Sequence, residues 1–177
     1  TTSAGTAIAE GGIVLIADST APASVRARLR AALVGERVAW RVWLTPSRPA
    51  EAVGGFPVLV TDSVPATDLD AAGGARFGPV RHPRTAVGIA AGGRRLLFVV
   101  VDGRQPPFSD GMTLRELADF FLHLGARSAI NLDGGGSSEL VVNRAGVMAI
   151  ANRPSDNIER PVANALALVQ RGCRPSP

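Results

Sequence analysis

Four short segments carry the side chains with chemical reach. The first is Asn131-Leu132-Asp133-Gly134-Gly135-Gly136-Ser137-Ser138. Successive glycines open backbone conformations closed to other residues. The N–H groups of Gly134, Gly135 and Gly136 can then converge on an anion as a nest. Ser137 and Ser138 add hydroxyl donors, and Asp133 sets a carboxylate at the mouth of the loop. The plainer reading is a Gly-Ser turn with Asp133 as an ordinary turn former. The second segment, Asp102-Gly103-Arg104, directly follows an apolar run. A carboxylate and a guanidinium two positions apart can face one pocket, or form a solvated pair worth little. The third is Arg81-His82-Pro83-Arg84-Thr85, and the fourth is Asn152-Arg153-Pro154-Ser155-Asp156-Asn157 with Glu159-Arg160 and Asn164. Guanidinium matches phosphate as a two-pronged donor, so particular arginines could bind an anion, although both segments also read as polar loops rich in turn formers. His82, beside Pro83 in a loop, reads as a structural residue before a catalytic base.

The elements that must position these segments are legible in outline. Residues 13–17 predict a buried strand, and Pro22 to Val34 a helix capped by Thr20 or Ser19. Val38 to Leu44 alternates as a half-buried strand, and Pro57 to Val60 predicts a short one. Residues 61–82 form a surface loop rich in turn residues. Thr85–Ala90 and Leu96–Val101 predict a hairpin, and the two-sided apolarity of its second arm places that arm inside the sheet. Thr113 and Glu116 form a capping box for a helix that ends at Gly125. A short strand from Ala129 to Leu132 then feeds the glycine loop. Leu140–Val142 and Val147–Ile150 predict a second hairpin, and Val162–Val169 a last interior strand. Strands and helices without regular alternation predict an α+β fold, a mixed β-sheet with packed helices, as one domain over 1–177.

Composition narrows the function classes. The chain has 177 residues, net charge +4 and 46% apolar residues, enough for a sizeable core. All 19 Lys and Arg positions are arginine, and Tyr is absent. GC-rich coding accounts for the total, so function attaches only to particular arginines. Their scatter, with no aromatic-interleaved basic stripe, argues against nucleic acid. No apolar run is long enough for a membrane span, and no basic-then-apolar leader opens the chain. The single cysteine, Cys173, excludes an intrachain disulfide. No zinc-ligand spacing is present.

Taken in order, the segments resemble the phosphodiester glycosidase family. The resemblance runs from about Ala52 to Val169. It covers Ala52-Val53-Gly54-Gly55, Arg84-Thr85-Ala86-Val87-Gly88, Val101-Asp102-Gly103-Arg104, Gly111-Met112-Thr113-Leu114, Asn131 to Ser138, Asn152, Glu159-Arg160 and Asn164-Ala165-Leu166. It implies a sugar–phosphate pocket built from Arg84, Asp102, Arg104, Asp133, Gly134, Gly135, Gly136, Ser137, Ser138, Asn152 and Arg160. The implied reaction is hydrolysis of a glycosyl phosphodiester, most simply at the anomeric carbon. A departing phosphate monoester needs little general-acid help and is stabilised by arginines and backbone N–H groups. One carboxylate serves as nucleophile or base, Asp133 first and Asp102 second. A carboxylate separation of ~5–5.5 Å implies retention and ~6.5–9.5 Å inversion.

The alternatives are a glycoside hydrolase or transferase acting on a bacterial envelope polysaccharide, and a non-catalytic carbohydrate- or phosphate-binding domain. No cofactor or metal is expected, with Ca²⁺ through Asp carboxylates and loop carbonyls as the open exception. The resemblance also implies a secreted or cell-envelope location. Family members carry an upstream Asn-Gly-Gly-aromatic motif with no counterpart in this sequence. The expectation is therefore an N-terminal partner chain or a second copy that completes the domain.

Overall fold

The structure is a computed structural model that describes residue 10 and residues 12–39 and 52–169. The chain divides into two compact units, Thr1–Ala50 and Glu51–Pro177. In the first, helix α1 (Ala23–Ala31) follows Pro22 and buries none of its residues. Neither Thr20 nor Ser19 caps it. Asp18 Oδ1 instead accepts from the Thr20 amide, the Thr20 hydroxyl and the Ala21 amide, and so holds Thr20 in the preceding turn. Residues 13–17 join no ladder among the described residues, and Ile16 is 84% exposed. The expected strand from Val38 lies outside the described residues from Trp40 onward.

The second unit holds a five-stranded sheet. Its strands are β1 (Val58–Thr61), β2 (Val64–Pro65), β3 (Arg84–Ala90), β4 (Leu96–Val101) and β5 (Ala126–Asn131), in the order β2-β1-β5-β3-β4. Each of these pairings is antiparallel. Helix α2 (Leu114–His123) packs on one face, and a separate hairpin joins β6 (Val141–Arg144) to β7 (Val147–Ile150). The fold is thus α+β.

The capping box of α2 forms as its sequence demands. The Thr113 hydroxyl accepts from the Glu116 amide at 3.1 Å, and Glu116 Oε2 accepts from the Thr113 amide at 2.9 Å. Downstream, Leu114, Leu117, Ala118 and Phe121 face the sheet and are fully buried against Leu59, Val60, Ala86 and Ala129. Fully burying each large apolar side chain contributes roughly 1.5–3 kcal/mol.

Two expected strands come out differently. Leu96–Val101 forms β4 but lies at the edge of the described sheet, although its apolarity on both sides had placed it inside. Leu96 and Phe98 stay 56% and 37% exposed. Val162–Val169 joins no ladder among the described residues, and Leu168 and Val169 are 73% and 82% exposed. Two-sided apolarity reports that a segment needs neighbours, and not which neighbours it has.

The close fit of α2 to β3 depends on Gly88. A Cβ there would lie 2.8 Å from the Phe121 ring and 2.9 Å from the Ser128 carbonyl oxygen. Gly88→Ala should therefore lower stability by about 1–3 kcal/mol through overpacking, and Phe121→Ala by about 3–5 kcal/mol through the cavity it leaves. Urea unfolding of both variants checks this. An unchanged midpoint for Gly88→Ala would show that α2 does not sit on β3 in this way.

Candidate active site

Strand direction brings the four segments together. β3 runs antiparallel to both β4 and β5, with Arg84 opposite Val101 and Ala86 opposite Asn131. The start of β3 therefore meets the ends of both neighbours. Asp102-Gly103-Arg104 leaves β4 and Leu132-Asp133-Gly134 leaves β5 at the same end of the sheet. An isolated antiparallel bridge between His82 and Met112 closes the approach to β3. Glycine permits the contact there, since a Cβ at Gly103 would stand 2.7 Å from the Pro83 nitrogen and 2.8 Å from Gly111 Cα.

Arg84 is 1% exposed. Side chains alternate along a strand, and Arg84 shares the buried face of β3 with Ala86 and Gly88. Its Nε donates to the Met112 carbonyl at 2.9 Å, and its Nη2 to the carbonyls of Phe77 at 2.6 Å and Val80 at 2.9 Å. The guanidinium also lies 4.9 Å from the Phe77 ring centre. The guanidinium implied for the pocket is thus engaged with backbone carbonyls. Burial, and then the positive charge of Arg104, lower its pKa to about 10. At neutral pH it remains charged. The folded state binds this proton less tightly than the unfolded chain does, so the cost of burying the charge is felt in full below pH 10 and is relieved only above it.

The glycine loop is a short 3₁₀ turn, Gly135–Ser137, and its amides are largely spoken for. The Gly134 N–H donates to Asp133 Oδ1 at 2.9 Å, and the Gly135 N–H to the Pro83 carbonyl at 2.9 Å. Ser137 and Ser138 donate to the Gly134 and Gly135 carbonyls. Only the Gly136 amide has no protein acceptor among the described residues, so an open nest is not what these glycines build. They provide close approach. A Cβ at Gly136 would collide with Asp156 Oδ2 and the guanidinium of Arg160, which pair with each other. A Cβ at Gly135 would lie 3.3 Å from Arg104 Nη1. Two guanidinium groups therefore lie against the loop backbone.

Ser138 is buried, with its hydroxyl 3.3 Å from that of Thr85. Asn152 is a clip. Its Nδ2 donates to Asp102 Oδ1 and to the Ser138 carbonyl, both at 3.0 Å, and its Oδ1 accepts from the Leu140 amide at 2.8 Å. Both residues thus join segments of the site through these bonds.

The two carboxylates differ in their surroundings. Asp133 is exposed and accepts from the neighbouring Gly134 amide. Asp102 is half-buried, with Oδ1 fixed by Asn152 Nδ2 and by the Arg153 amide at 2.9 Å. Oδ2 has no protein partner among the described residues. Arg104 adopts φ +59°, and its Nη2 lies 3.2 Å from His82 Nδ1. His82 Nε2 lies 2.8 Å from the Arg76 carbonyl oxygen, which can only accept. The contacts fit the tautomer in which Nε2 donates to the Arg76 carbonyl and Nδ1 accepts from Arg104.

Two contacts had no role assigned from the sequence, although both residues stand in the segments named above. Asn131 is 2% exposed and donates through Nδ2 to the Phe56 and Leu132 carbonyls. Its Oδ1 is buried without a partner among the described residues. Arg153 stacks on Phe108, with Cζ 4.2 Å from the ring centre. Position at the end of β5 could have flagged Asn131, whereas the Arg153–Phe108 contact spans two loops and leaves no local sequence signal. Among the described residues no group of three or more His, Cys, Asp or Glu gathers to hold a metal ion. No described helix is long and apolar enough to cross a membrane.

This arrangement of strand ends, carboxylates and arginines accompanies a family match. The model of the phosphodiester glycosidase family matches residues 2–169, and the chain belongs to that family. The match begins upstream of Ala52, where the legible motifs start. The SPbeta prophage-derived protein YomE of Bacillus subtilis is 39% identical over 89 residues, 50% of this chain and 13% of that protein. The N-acetylglucosamine-1-phosphodiester alpha-N-acetylglucosaminidase of Bos taurus is 36% identical over 107 residues, 56% of this chain and 19% of that one. The catalytic domain of the zebrafish enzyme of the same name, auto-inhibited by its pro-peptide, aligns with a TM-score of 0.48 and 31% identity. That alignment covers 58% of this chain and 34% of the other. The chain thus spans a small part of these relatives.

The role of Arg84 is open to direct test. Removing it leaves the carbonyls of Phe77 and Val80 without a protein donor among the described residues, while Met112 keeps the His82 amide, at about 1–3 kcal/mol for each buried acceptor left unpaired. Arg84→Ala should cost about 2 kcal/mol or more, and Arg84→Lys should recover little, because one ammonium cannot span the fork. An Arg84→Ala protein with wild-type thermal stability would return this residue to the pocket.

Proposed function

We propose that this chain hydrolyses a glycosyl phosphodiester at the anomeric carbon, with Asp102 as the reacting carboxylate and arginines holding the phosphate. The observation that carries the reading is the fixing of Asp102 Oδ1 by the Asn152 side chain and the Arg153 amide. This orients a free Oδ2 at the sheet end shared with Arg104 and Arg160. The carboxylate attacks the anomeric carbon, or takes a proton from water that does. The sugar–oxygen bond breaks, and the electron pair leaves with the phosphate monoester. Asp133, exposed at the mouth of the loop, is the second carboxylate. The coarse reaction class follows the family, while the residue roles are our assignment.

Charge balance supports a phosphate at this site. Burial first, and then the positive charge of Arg104, lower the pKa of Arg84, and an anion beside Arg104 would offset that second contribution. The same cations offset the repulsion between Asp102 and an approaching phosphodiester. Arginines are thereby asked to do what a divalent ion does in other phosphate sites, and activity should survive EDTA.

The substrate class is tested by a panel of sugar-1-phosphate diesters against matching neutral glycosides, read by product mass. Cleavage of the diesters alone is expected, and equal cleavage of neutral glycosides would refute the phosphate requirement. The carboxylate assignment is tested separately. Asp102→Asn should lower kcat on the order of 10³-fold or more with little change in melting temperature. Asp133→Asn should retain activity within about tenfold. Loss of turnover in Asp133→Asn, with an active Asp102→Asn, would reverse the two roles. Gly136→Ala should push the Asp156–Arg160 pair off the loop and raise KM for the diester more than it lowers kcat, and an unchanged KM would remove Arg160 from the phosphate wall.

A further inference from the structure

We infer that Arg153, seated over the Phe108 ring, is a specificity-determining residue that grips the phosphate on its leaving side. This rests on the reading of the site as a glycosyl phosphodiester pocket. Three features support it. First, Arg153 is fixed at both ends of its backbone unit, since its N–H donates to Asp102 Oδ1 at 2.9 Å and its carbonyl accepts from Gln105 Nε2 at 2.8 Å. The side chain therefore springs from a point tied to the reacting carboxylate. Second, the guanidinium lies 4.2 Å from the centre of the Phe108 ring. Stacking on an aromatic face holds the planar group while its N–H edges stay free in the plane. Such a fork suits a phosphate oxygen pair.

Third, the cation is uncommitted. Arg81, Arg115, Arg127 and Arg160 are paired with Glu116, Asp70, Asp62 and Asp156, and Arg84 is spent on carbonyls. Arg153 has no carboxylate partner among the described residues, although it is adjacent in sequence to the clip at Asn152. The platform beneath it is also built. Gln105 and Ser109 bond to each other through their backbones, the Phe108 N–H donates to the Gln105 carbonyl at 2.8 Å, and Ser109 Oγ donates to the Asp102 carbonyl at 2.6 Å. A phenylalanine that is 54% accessible thus sits on a braced loop beneath an exposed arginine. The ligand class is a phosphate monoester or diester dianion or monoanion, bound through two oxygens.

The test uses inorganic phosphate as the probe, titrated calorimetrically into the whole chain, with thermal stability and diester kinetics measured alongside. Arg153→Gln keeps the backbone N–H on Asp102 and should weaken phosphate binding by about tenfold or more. It should raise KM for the diester while leaving the melting temperature unchanged. Phe108→Leu keeps the charge but removes the platform, and should weaken phosphate binding several-fold, whereas Phe108→Tyr should restore it. Wild-type phosphate affinity in Arg153→Gln, or a fall in melting temperature with no change in affinity, would overturn the inference. Wild-type protein that binds phosphate through Arg153 yet cleaves neutral glycosides equally would instead defeat the phosphodiester reading and leave this site standing.

Discussion

A buried guanidinium is the constraint on which the rest of this structure depends. Arg84 begins β3, and its side chain reaches the carbonyls of Phe77, Val80 and Met112. Those groups belong to two loops, and the carbonyls of Phe77 and Val80 have no other protein donor among the described residues. The interaction costs desolvation, visible in the lowered pKa of the group, and returns a fixed position for the His82–Met112 bridge. On that bridge rest Pro83, whose carbonyl receives the Gly135 amide, and His82, which accepts from Arg104. One charged side chain thus places both the glycine loop and the arginine that lies on it.

The site is an arrangement of ties more than of free groups. Asn152 joins Asp102 to Ser138, Thr85 meets Ser138, and Gln105 meets Arg153. These contacts use up side chains that a motif would assign to substrate, and they leave exposed a carboxylate oxygen and two arginines, Arg104 and Arg153. Pre-orientation of this kind is what electrostatic stabilisation of a departing anion requires, because donors already in place need no rearrangement as charge develops. The glycines contribute by what they lack. Gly135 and Gly136 let guanidinium groups lie on the backbone where any Cβ would hold them off.

Much of this was legible in the sequence, and the failures have physical causes. The α2 helix, its capping box, both hairpins and the meeting of the four segments follow from local pattern and from strand ends carrying polar residues. The role of Arg84 was also within reach. Period-two alternation puts it on the face of Ala86 and Gly88, towards α2 and away from the mouth of the loop. What pattern could not show was where amide hydrogens go. Three glycines permit a nest, but Pro83, Asp133 and the turn itself accept most of those hydrogens first. Nor does two-sided apolarity identify a neighbour, so it could not show that β4 lies at the edge of the described sheet or that Val162–Val169 joins no described ladder. The Arg153–Phe108 stack joins residues 45 positions apart (153 less 108), and so has no local signature.

With the carboxylate at carbon and the arginines at the leaving phosphate, the identity of the bond that breaks is the most exposed claim. Hydrolysis of a sugar-1-phosphate diester in water enriched in ¹⁸O, followed by mass analysis of both products, reads that bond directly. Label in the anomeric hydroxyl of the released sugar, with unlabelled phosphate, is the predicted result. Label in the phosphate would show attack at phosphorus and contradict the proposed roles of Asp102 and of the arginines.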